Sequence, residues 1–157
     1  MTADIHFLSR EAATLFEPTG EYPVIISITD PGEQQADLEP GWFDVLRLEF
    51  HDIDGRFGDF RLFSQADAGS VVSFLDKHRE ADQVVVHCRY GQSRSAAVAL
   101  YVAHRQLSWL DRRAEAYNPL VWRMLIRAEA LRALKKGQLL RLASTAGALI
   151  DGPPLQL

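Results

Sequence analysis

Residues 84–95 read Val-Val-Val-His-Cys-Arg-Tyr-Gly-Gln-Ser-Arg-Ser, and an Ala-rich run follows at 96–103. Three consecutive β-branched residues predict a buried strand, the Gly/Ser segment a short loop, and the Ala-rich run a helix. The backbone amides of a loop that opens a helix can all point at one anion. Five residues between Cys88 and Arg94 can wrap around a phosphate-sized oxyanion, with the thiol beneath it and a planar guanidinium closing the ring. The stretch therefore predicts a phosphate cradle with a cysteine nucleophile in its floor.

This loop resembles the signature of cysteine-dependent protein phosphatases, in their small dual-specificity form. The resemblance is carried by His87-Cys88, by Gly91 among the five residues that follow, and by Arg94-Ser95. It implies that Ser95 helps to release the sulfur in the second step of the reaction. It also implies that His87 holds the loop and helps to keep the thiolate ionised, although a satisfied buried histidine is the alternative for this residue.

The segments before the cradle predict the rest of a parallel sheet. Residues 23–28 form a continuous β-branched run typical of a strand buried on both faces, and residues 45–50 alternate as another strand does. Ser64-x-x-Asp67 predicts a capping box that opens a helix running to about residue 80, and Ser9 predicts the N-cap of a shorter one. This order predicts a single-domain α/β fold with a mainly parallel central sheet flanked by helices, which is also the dual-specificity-phosphatase-like fold that the resemblance implies.

The chain has 157 residues, enough for one sizeable core and too few for two ordinary domains. We expect one phosphatase domain over residues 1–157, with its core at about 20–136 and a C-terminal packing segment and tail at 138–157. Asn118-Pro119 predicts the start of the last helix. Lys135-Lys136-Gly137 predicts its end, because glycine after a cationic turn is typical of a helix C terminus.

The cradle is expected to bind phosphate through the loop formed by Arg89, Tyr90, Gly91, Gln92, Ser93 and Arg94. A free thiol is mostly protonated at neutral pH, but a helix N terminus and a nearby guanidinium favour the thiolate. The hydroxyls of Ser93 and Ser95 can donate hydrogen bonds to the sulfur. Arg89 and Tyr90 are expected to face outward, and Gly91 to take a conformation that a side chain would hinder.

A proton donor for the leaving oxygen must come from outside the cradle. His51-Asp52-Ile53-Asp54 follows the strand at 45–50, and the phosphatases that the loop resembles carry their general-acid aspartate at a similar place. Asp52 is the first candidate, Asp54 the second and Asp59 a distant third. For any one of these carboxylates taken alone, a solvated turn is the alternative.

These residues and the resemblance predict a cysteine-dependent protein-tyrosine or dual-specificity phosphatase with a cysteinyl-phosphate intermediate. We expect it to hydrolyse phosphotyrosine monoesters. Whether phosphoserine and phosphothreonine are also substrates depends on a pocket depth set by the loops at 30–41 and 54–64. Two alternatives stay open: a phosphatase acting on a phosphoinositide or small-molecule phosphate, and a phosphate-binding module without turnover. More basic loop residues would favour the phosphoinositide, and here only Arg89 adds to Arg94.

The composition of the chain excludes some classes of binding partner. A net charge of −4 and a pI near 5.7 disfavour a polyanion-binding surface, so we expect a phosphorylated protein or small phosphorylated substrate and no nucleic acid. No stretch approaches the ~18 apolar residues of a membrane span, and a cytoplasmic location is expected. The single cysteine excludes an intrachain disulfide, and no second histidine or cysteine has ligand spacing to His87, so we expect no metal or other cofactor. Oligomeric state has no signature in the sequence.

Overall fold

The computed structural model describes residues 2–110 and 112–150, with the backbone alone at 112, 113, 140 and 142–150. Its elements in chain order are β1 (Asp4–Ser9), α1 (Arg10–Thr14), β2 (Pro23–Thr29), β3 (Asp44–Glu49), α2 (Gln65–Lys77), β4 (Gln83–Cys88), α3 (Arg94–Gln106), a 3₁₀-helix (Arg112–Ala116) and α4 (Pro119–Ile150). No helix in the described ranges is long and apolar enough to cross a membrane.

The four strands form one sheet in the order β1-β4-β2-β3, and every neighbouring pair is parallel. The central strands β4 and β2 are buried along their whole length, whereas the edge strands β1 and β3 are partly exposed. Continuous β-branched runs therefore mark the covered strands, and the alternating run at 45–50 marks an edge. α3 packs against β1 and β4, α2 against β3, and α4 against α2 and α3. The predicted α/β fold with a parallel, helix-flanked sheet is confirmed.

Parallel pairing places the carboxyl ends of all four strands at one edge of the sheet. β1 is followed by Arg10, β2 by Asp30, β3 by Phe50 and Asp52, and β4 by the loop at 89–93. In open α/β sheets ligands bind at this edge. The fold therefore gathers charged residues from four separate stretches of the sequence around one place.

The predicted helix starts are confirmed by their caps. Ser9 Oγ accepts a hydrogen bond from the first turn of α1, and Ser64 and Asp67 form the reciprocal capping box before α2. Asn118 Oδ1 accepts from two backbone N–H groups in the first turn of α4, at 3.0 and 3.2 Å. α2 ends at Lys77, slightly before the expected residue.

Two parts of the fold differ from the sequence predictions. The sequence pattern does not predict β1, yet this strand pairs with the central strand β4. The expected helix end at Gly137 is wrong, because α4 continues through this residue to Ile150. A glycine costs about 1 kcal/mol inside a helix, and the Leu- and Ala-rich sequence beyond it favours the helix enough to outweigh that cost. Residues 138–150 thus belong to α4, and the predicted tail at 151–157 lies outside the described residues.

Candidate active site

Cys88 ends β4 at the floor of the loop and is only 2% exposed. Its Sγ lies 3.1 Å from the hydroxyl of Ser95, which is fully buried in the first turn of α3. The turn from strand to helix therefore brings the thiol to the N terminus of α3, where the helix dipole favours anions. The structure brings Cys88 and Ser95 together, as the sequence predicts.

Ser93 makes a different contact from the one expected. Its hydroxyl donates to Asp52 Oδ1 at 2.7 Å, so the predicted hydrogen bond from Ser93 to the sulfur is wrong. Asp52 follows β3 and reaches across to the loop before α3. A carboxyl oxygen is a stronger hydrogen-bond acceptor than a thiol sulfur, so Asp52 holds this hydroxyl.

Asn118 is a site residue that sequence reasoning recognised only as a helix start. Its Nδ2 donates to Asp52 Oδ1 at 2.9 Å and to the Ile53 carbonyl at 3.2 Å, and its backbone N–H donates to the Ser93 carbonyl at 3.1 Å. The residue is 3% exposed. One buried asparagine therefore joins the loop after β3, the loop before α3 and the start of α4. No local pattern reveals these contacts, because they link distant segments.

The other two acidic candidates are not held in this way. Asp54 and Asp59 are exposed, as Asp52 is, but neither carboxylate has a hydrogen bond or ion pair within the described part of the chain. Their loop is closed at its base by His51 and Arg61, and it carries an aromatic pair that the sequence analysis did not single out. Phe57 and Phe60 are 66% and 47% exposed, their ring centroids are 5.5 Å apart, and Phe60 also packs on His51.

Arg94 begins α3, and its side chain is only 3% exposed. Its Nη1 donates to Asp30 Oδ1 at 2.5 Å and to the Phe50 carbonyl at 2.6 Å. Its Nε is buried and has no partner among the residues that the structure describes. A buried donor without a partner costs about 1–3 kcal/mol and is rare in native proteins unless a ligand satisfies it. In arginines that bind phosphate through two parallel hydrogen bonds, the donors can be the edge formed by Nε and Nη2.

The backbone amides of the loop also lack partners in the part of the chain that the structure describes. Within the described chain, none of the backbone N–H groups of residues 89–93 donates a hydrogen bond. They are thus available to an anion at the N terminus of α3. Gly91 has φ +67°, and a Cβ there would lie 2.3 Å from the backbone N of Ser9 and 2.4 Å from the carbonyl carbon of Leu8. The predicted need for glycine is confirmed, and its cause includes close packing against the end of β1.

Arg89 and Tyr90 face outward, as predicted. Arg89 Nη1 lies 3.1 Å from Glu33 Oε1 and 3.6 Å from Asp30 Oδ2, and its guanidinium stacks on the Tyr90 ring at 5.6 Å. Two carboxylates therefore contact this arginine at the rim of the loop, and each of them is shared with another arginine, Arg10 or Arg94. Gln92 is exposed beside them.

His87 is buried in β4, 1% exposed, and its Nε2 lies 2.7 Å from Ser27 Oγ on β2. Arg47 on β3 donates to the same hydroxyl at 3.1 Å. Burial lowers the pKa of His87 from 6.5 to about 4, so the ring is neutral at pH 7. Because Arg47 can only donate, the Ser27 hydroxyl accepts its hydrogen bond, and the same oxygen is within hydrogen-bond distance of His87 Nε2. This chain of hydrogen bonds crosses three strands beneath Cys88.

No protein-family model matches the chain, and no curated protein matches it. Among solved structures, it is similar to human tyrosine phosphatase-like serine/threonine/tyrosine-interacting protein, with 21% identity and a TM-score of 0.47 over 71% of this chain and 79% of that one. It is also similar to human DUSP28, with 20% identity and a TM-score of 0.47 over 83% of this chain and 94% of that one. These are likenesses of fold. Within residues 2–110 and 112–150, no group of three or more His, Cys, Asp or Glu side chains could hold a metal ion.

Proposed function

We propose that the protein is a cysteine-dependent phosphatase that hydrolyses phosphate monoesters, with phosphotyrosine in proteins as its substrate class. The observation that carries this proposal is the buried, unpartnered Nε–H of Arg94, at the start of the helix whose first turn contacts the Cys88 thiol. A phosphate group held by this N–H, by Nη2 and by the free loop amides would have its oxygens neutralised. Its phosphorus would then face the sulfur in the floor.

In the first step the Cys88 thiolate attacks phosphorus, so that an S–P bond forms and the ester P–O bond breaks. Asp52, protonated, gives its proton to the leaving oxygen. In the second step Asp52 takes a proton from water, the resulting hydroxide attacks phosphorus and the S–P bond breaks, releasing inorganic phosphate. Ser95, 3.1 Å from Sγ, donates a hydrogen bond to the thiolate as it leaves.

The choice of Asp52 as general acid is supported by how its two oxygens are used. Oδ1 accepts from both Ser93 and Asn118, which anchors the carboxyl group against the phosphate loop. Oδ2 has no hydrogen-bond partner in the described part of the chain, so it is available to carry the proton. Asp54 lacks any such anchor, and it remains the second candidate.

The charges at the rim favour a phosphoprotein over a polyphosphorylated small molecule. A phosphoinositide carries several phosphates, which would require free cations beside Arg94. Arg89 is instead ion-paired with Glu33 and Asp30, so it is not a free cation. These two carboxylates also contact Arg10 and Arg94. Exposed rings at Tyr90, Phe57 and Phe60 offer apolar surface on two loops to an aromatic substrate. The module without turnover is disfavoured because nucleophile, arginine and an anchored acid are all present.

The test is turnover of para-nitrophenyl phosphate and of a phosphotyrosine peptide by wild type, Cys88→Ser, Asp52→Asn and the matched control Asp54→Asn, with and without vanadate. We expect vanadate-sensitive turnover that Cys88→Ser abolishes. Asp52→Asn should lower kcat on the peptide about 100-fold, since general acids contribute at least that much, and less on para-nitrophenyl phosphate, whose leaving group needs little protonation. Asp54→Asn should stay within about twofold of wild type.

Several outcomes would contradict the proposal. Wild-type protein that binds phosphate through Arg94 without turning over either substrate would be a phosphate-binding module. Faster release of phosphate from phosphoinositides than from the peptide would move the substrate class to lipids. A larger loss of kcat in Asp54→Asn than in Asp52→Asn would make Asp54 the general acid in place of Asp52.

A further inference from the structure

Asp30 belongs to a Thr-Asp-Pro-Gly segment whose sequence is typical of a turn, yet its carboxylate meets the candidate phosphate-binding arginine. We propose that Asp30 is a positioning residue that holds the Arg94 guanidinium so that its Nε–Nη2 edge faces the phosphate. This inference rests on the proposed phosphate-binding role of the cradle. It adds a residue that neither the loop signature nor the acid loop contains.

The first support is the way in which the guanidinium nitrogens are divided. Both protein contacts of Arg94 are made by Nη1, with Asp30 Oδ1 at 2.5 Å and the Phe50 carbonyl at 2.6 Å. Nη1 lies opposite the edge formed by Nε and Nη2. Nε has no partner among the described residues, so the anchored side and the free side of the group are separate. Two acceptors on one nitrogen fix the direction of the planar fork.

The second support is the position of Asp30 in the sheet. It comes directly after β2, and β2 pairs with β4, the strand that ends in Cys88. The carboxylate is thus placed by the hydrogen-bonded sheet. Its other oxygen lies 3.6 Å from Arg89 Nη1, and its side chain is only 19% exposed. Asp30 is therefore held from two sides before any phosphate arrives, which is what preorganisation of a binding group requires.

A carboxylate beside a phosphate site also has an opposing effect. It lowers the local positive potential, which by itself weakens the binding of an anion. Positioning and repulsion therefore predict opposite changes in phosphate affinity when the carboxylate is removed. We infer that positioning dominates, because Arg94 is buried and loses one of its two anchors without Asp30.

The experiment measures the affinity for inorganic phosphate and for vanadate, and kcat and KM for para-nitrophenyl phosphate. The variants are Asp30→Ala, Asp30→Asn and the matched control Glu33→Gln, which removes a carboxylate that contacts Arg89 and Arg10 without touching Arg94. We expect Asp30→Ala to weaken phosphate and vanadate binding about 10- to 100-fold and to lower kcat/KM similarly. Asp30→Asn keeps an oxygen acceptor for Nη1. The logarithm of its loss in phosphate affinity should therefore be at most half of that for Asp30→Ala. Glu33→Gln should stay within about twofold.

Urea unfolding of each variant separates positioning from general damage, and Asp30→Asn supplies the comparison if Asp30→Ala does not fold. Equal or tighter phosphate binding by the folded Asp30 variants would overturn the inference, because repulsion would then be the main effect of the carboxylate. Equal losses in Asp30→Asn and Asp30→Ala would also overturn it. If wild type binds phosphate without turnover, the proposed enzyme fails while the affinity series still tests Asp30. If wild type binds neither phosphate nor vanadate, both proposals fall.

Discussion

Arg94 and Asp52 share a pattern at the level of single atoms. Arg94 uses Nη1 for the protein and leaves Nε unpartnered within the described chain. Asp52 accepts hydrogen bonds from Ser93 and Asn118 at Oδ1, and its Oδ2 has no hydrogen-bond partner within the described chain. In each side chain one atom anchors the group and another is available to a substrate. Anchoring of this kind reduces the reorganisation that catalysis would otherwise require.

His87 gives a prediction about pH. Its pKa is lowered from 6.5 to about 4 by burial, so between these values the unfolded chain binds more protons than the folded one. The free energy of unfolding therefore rises with pH across this window, and about 3 kcal/mol is lost as the pH falls through it. Urea midpoints should drop steeply between pH 6.5 and 4 in wild type.

The slope should be much smaller in His87→Asn, which lacks the imidazole. A slope close to pH 4 remains, because a hydrogen bond from Lys77 lowers the pKa of Asp44 to about 2. The control is His104→Asn, because His104 is exposed near the end of α3 and should leave the slope unchanged. A slope in His87→Asn equal to that of wild type would assign the acid sensitivity to other groups.

At the level of elements, the site is an assembly of segments that follow strands, with one helix start added. The loops after β2, β3 and β4 carry Asp30, Asp52 and the cradle, and α4 contributes Asn118. Asn118 caps α4 with Oδ1 and holds Asp52 with Nδ2, so stability and acid placement depend on different atoms of one side chain. A substitution can therefore separate the two roles.

Asn118→Asp keeps an oxygen for the cap and loses the Nδ2 donor, while Asn118→Ala loses both. We expect Asn118→Asp to lower kcat on a phosphotyrosine peptide at least tenfold, because Asp52 loses an anchor and faces a second carboxylate. Asn118→Ala should lower kcat similarly and also cost about 2 kcal/mol of unfolding free energy. Turnover and urea unfolding measure both effects.

Ser64→Ala provides the matched control, because the Ser64 side chain caps α2 through Asp67 and makes no hydrogen bond to Asp52, Asn118 or the loop at 89–93. It should cost about 1 kcal/mol of stability and leave kcat unchanged. A normal kcat in both Asn118 variants would show that Asn118 is a helix cap and nothing more.

On the scale of the whole molecule, an ionic cluster joins the three long helices. Asp76 of α2 accepts from Arg105 of α3 at 2.6 Å and from Arg132 of α4 at 2.5 and 2.6 Å. Glu129 of α4 accepts from Arg132 at 3.1 Å and from the hydroxyl of Tyr101 on α3. Burial, and then the Glu129 carboxylate, raise the pKa of Tyr101, so its hydroxyl stays protonated and donates. The cluster therefore holds α2, α3 and α4 against one another.

Asp76→Ala should lower the free energy of unfolding by about 2–3 kcal/mol, because two partly buried arginines lose a shared carboxylate. Arg127→Ala, on an exposed position of α4, is the control and should change it by less than about 0.5 kcal/mol. Both variants should keep wild-type kcat at 25 °C, where each is folded. Equal stability of the two variants in urea would mean that the cluster does not stabilise the helix layer.

Sequence patterns predict well those parts of the chain whose stabilising contacts are made with residues nearby in the sequence. The strand, loop and helix around Cys88, the covered strand at 23–28 and the Ser64 capping box are of this kind. β1 has no such signal, because its short run becomes a strand by pairing with β4. The prediction that α4 ends at Gly137 is wrong because the following residues outweigh the small cost of a glycine within the helix.

The placement of the carboxylates depends on the tertiary structure. Sequence order alone leaves Asp52, Asp54 and Asp59 as neighbours in one acidic loop and gives Asp30 the character of a turn residue. The strand order β1-β4-β2-β3 sets Asp30 beside Arg94, and the packing of α4 sets Asn118 against Asp52. The cradle follows from a dozen consecutive residues because its hydrogen-bonding groups are local. The proposed general acid and the proposed arginine anchor follow only from the fold, because parallel strands bring together loops that the chain keeps far apart.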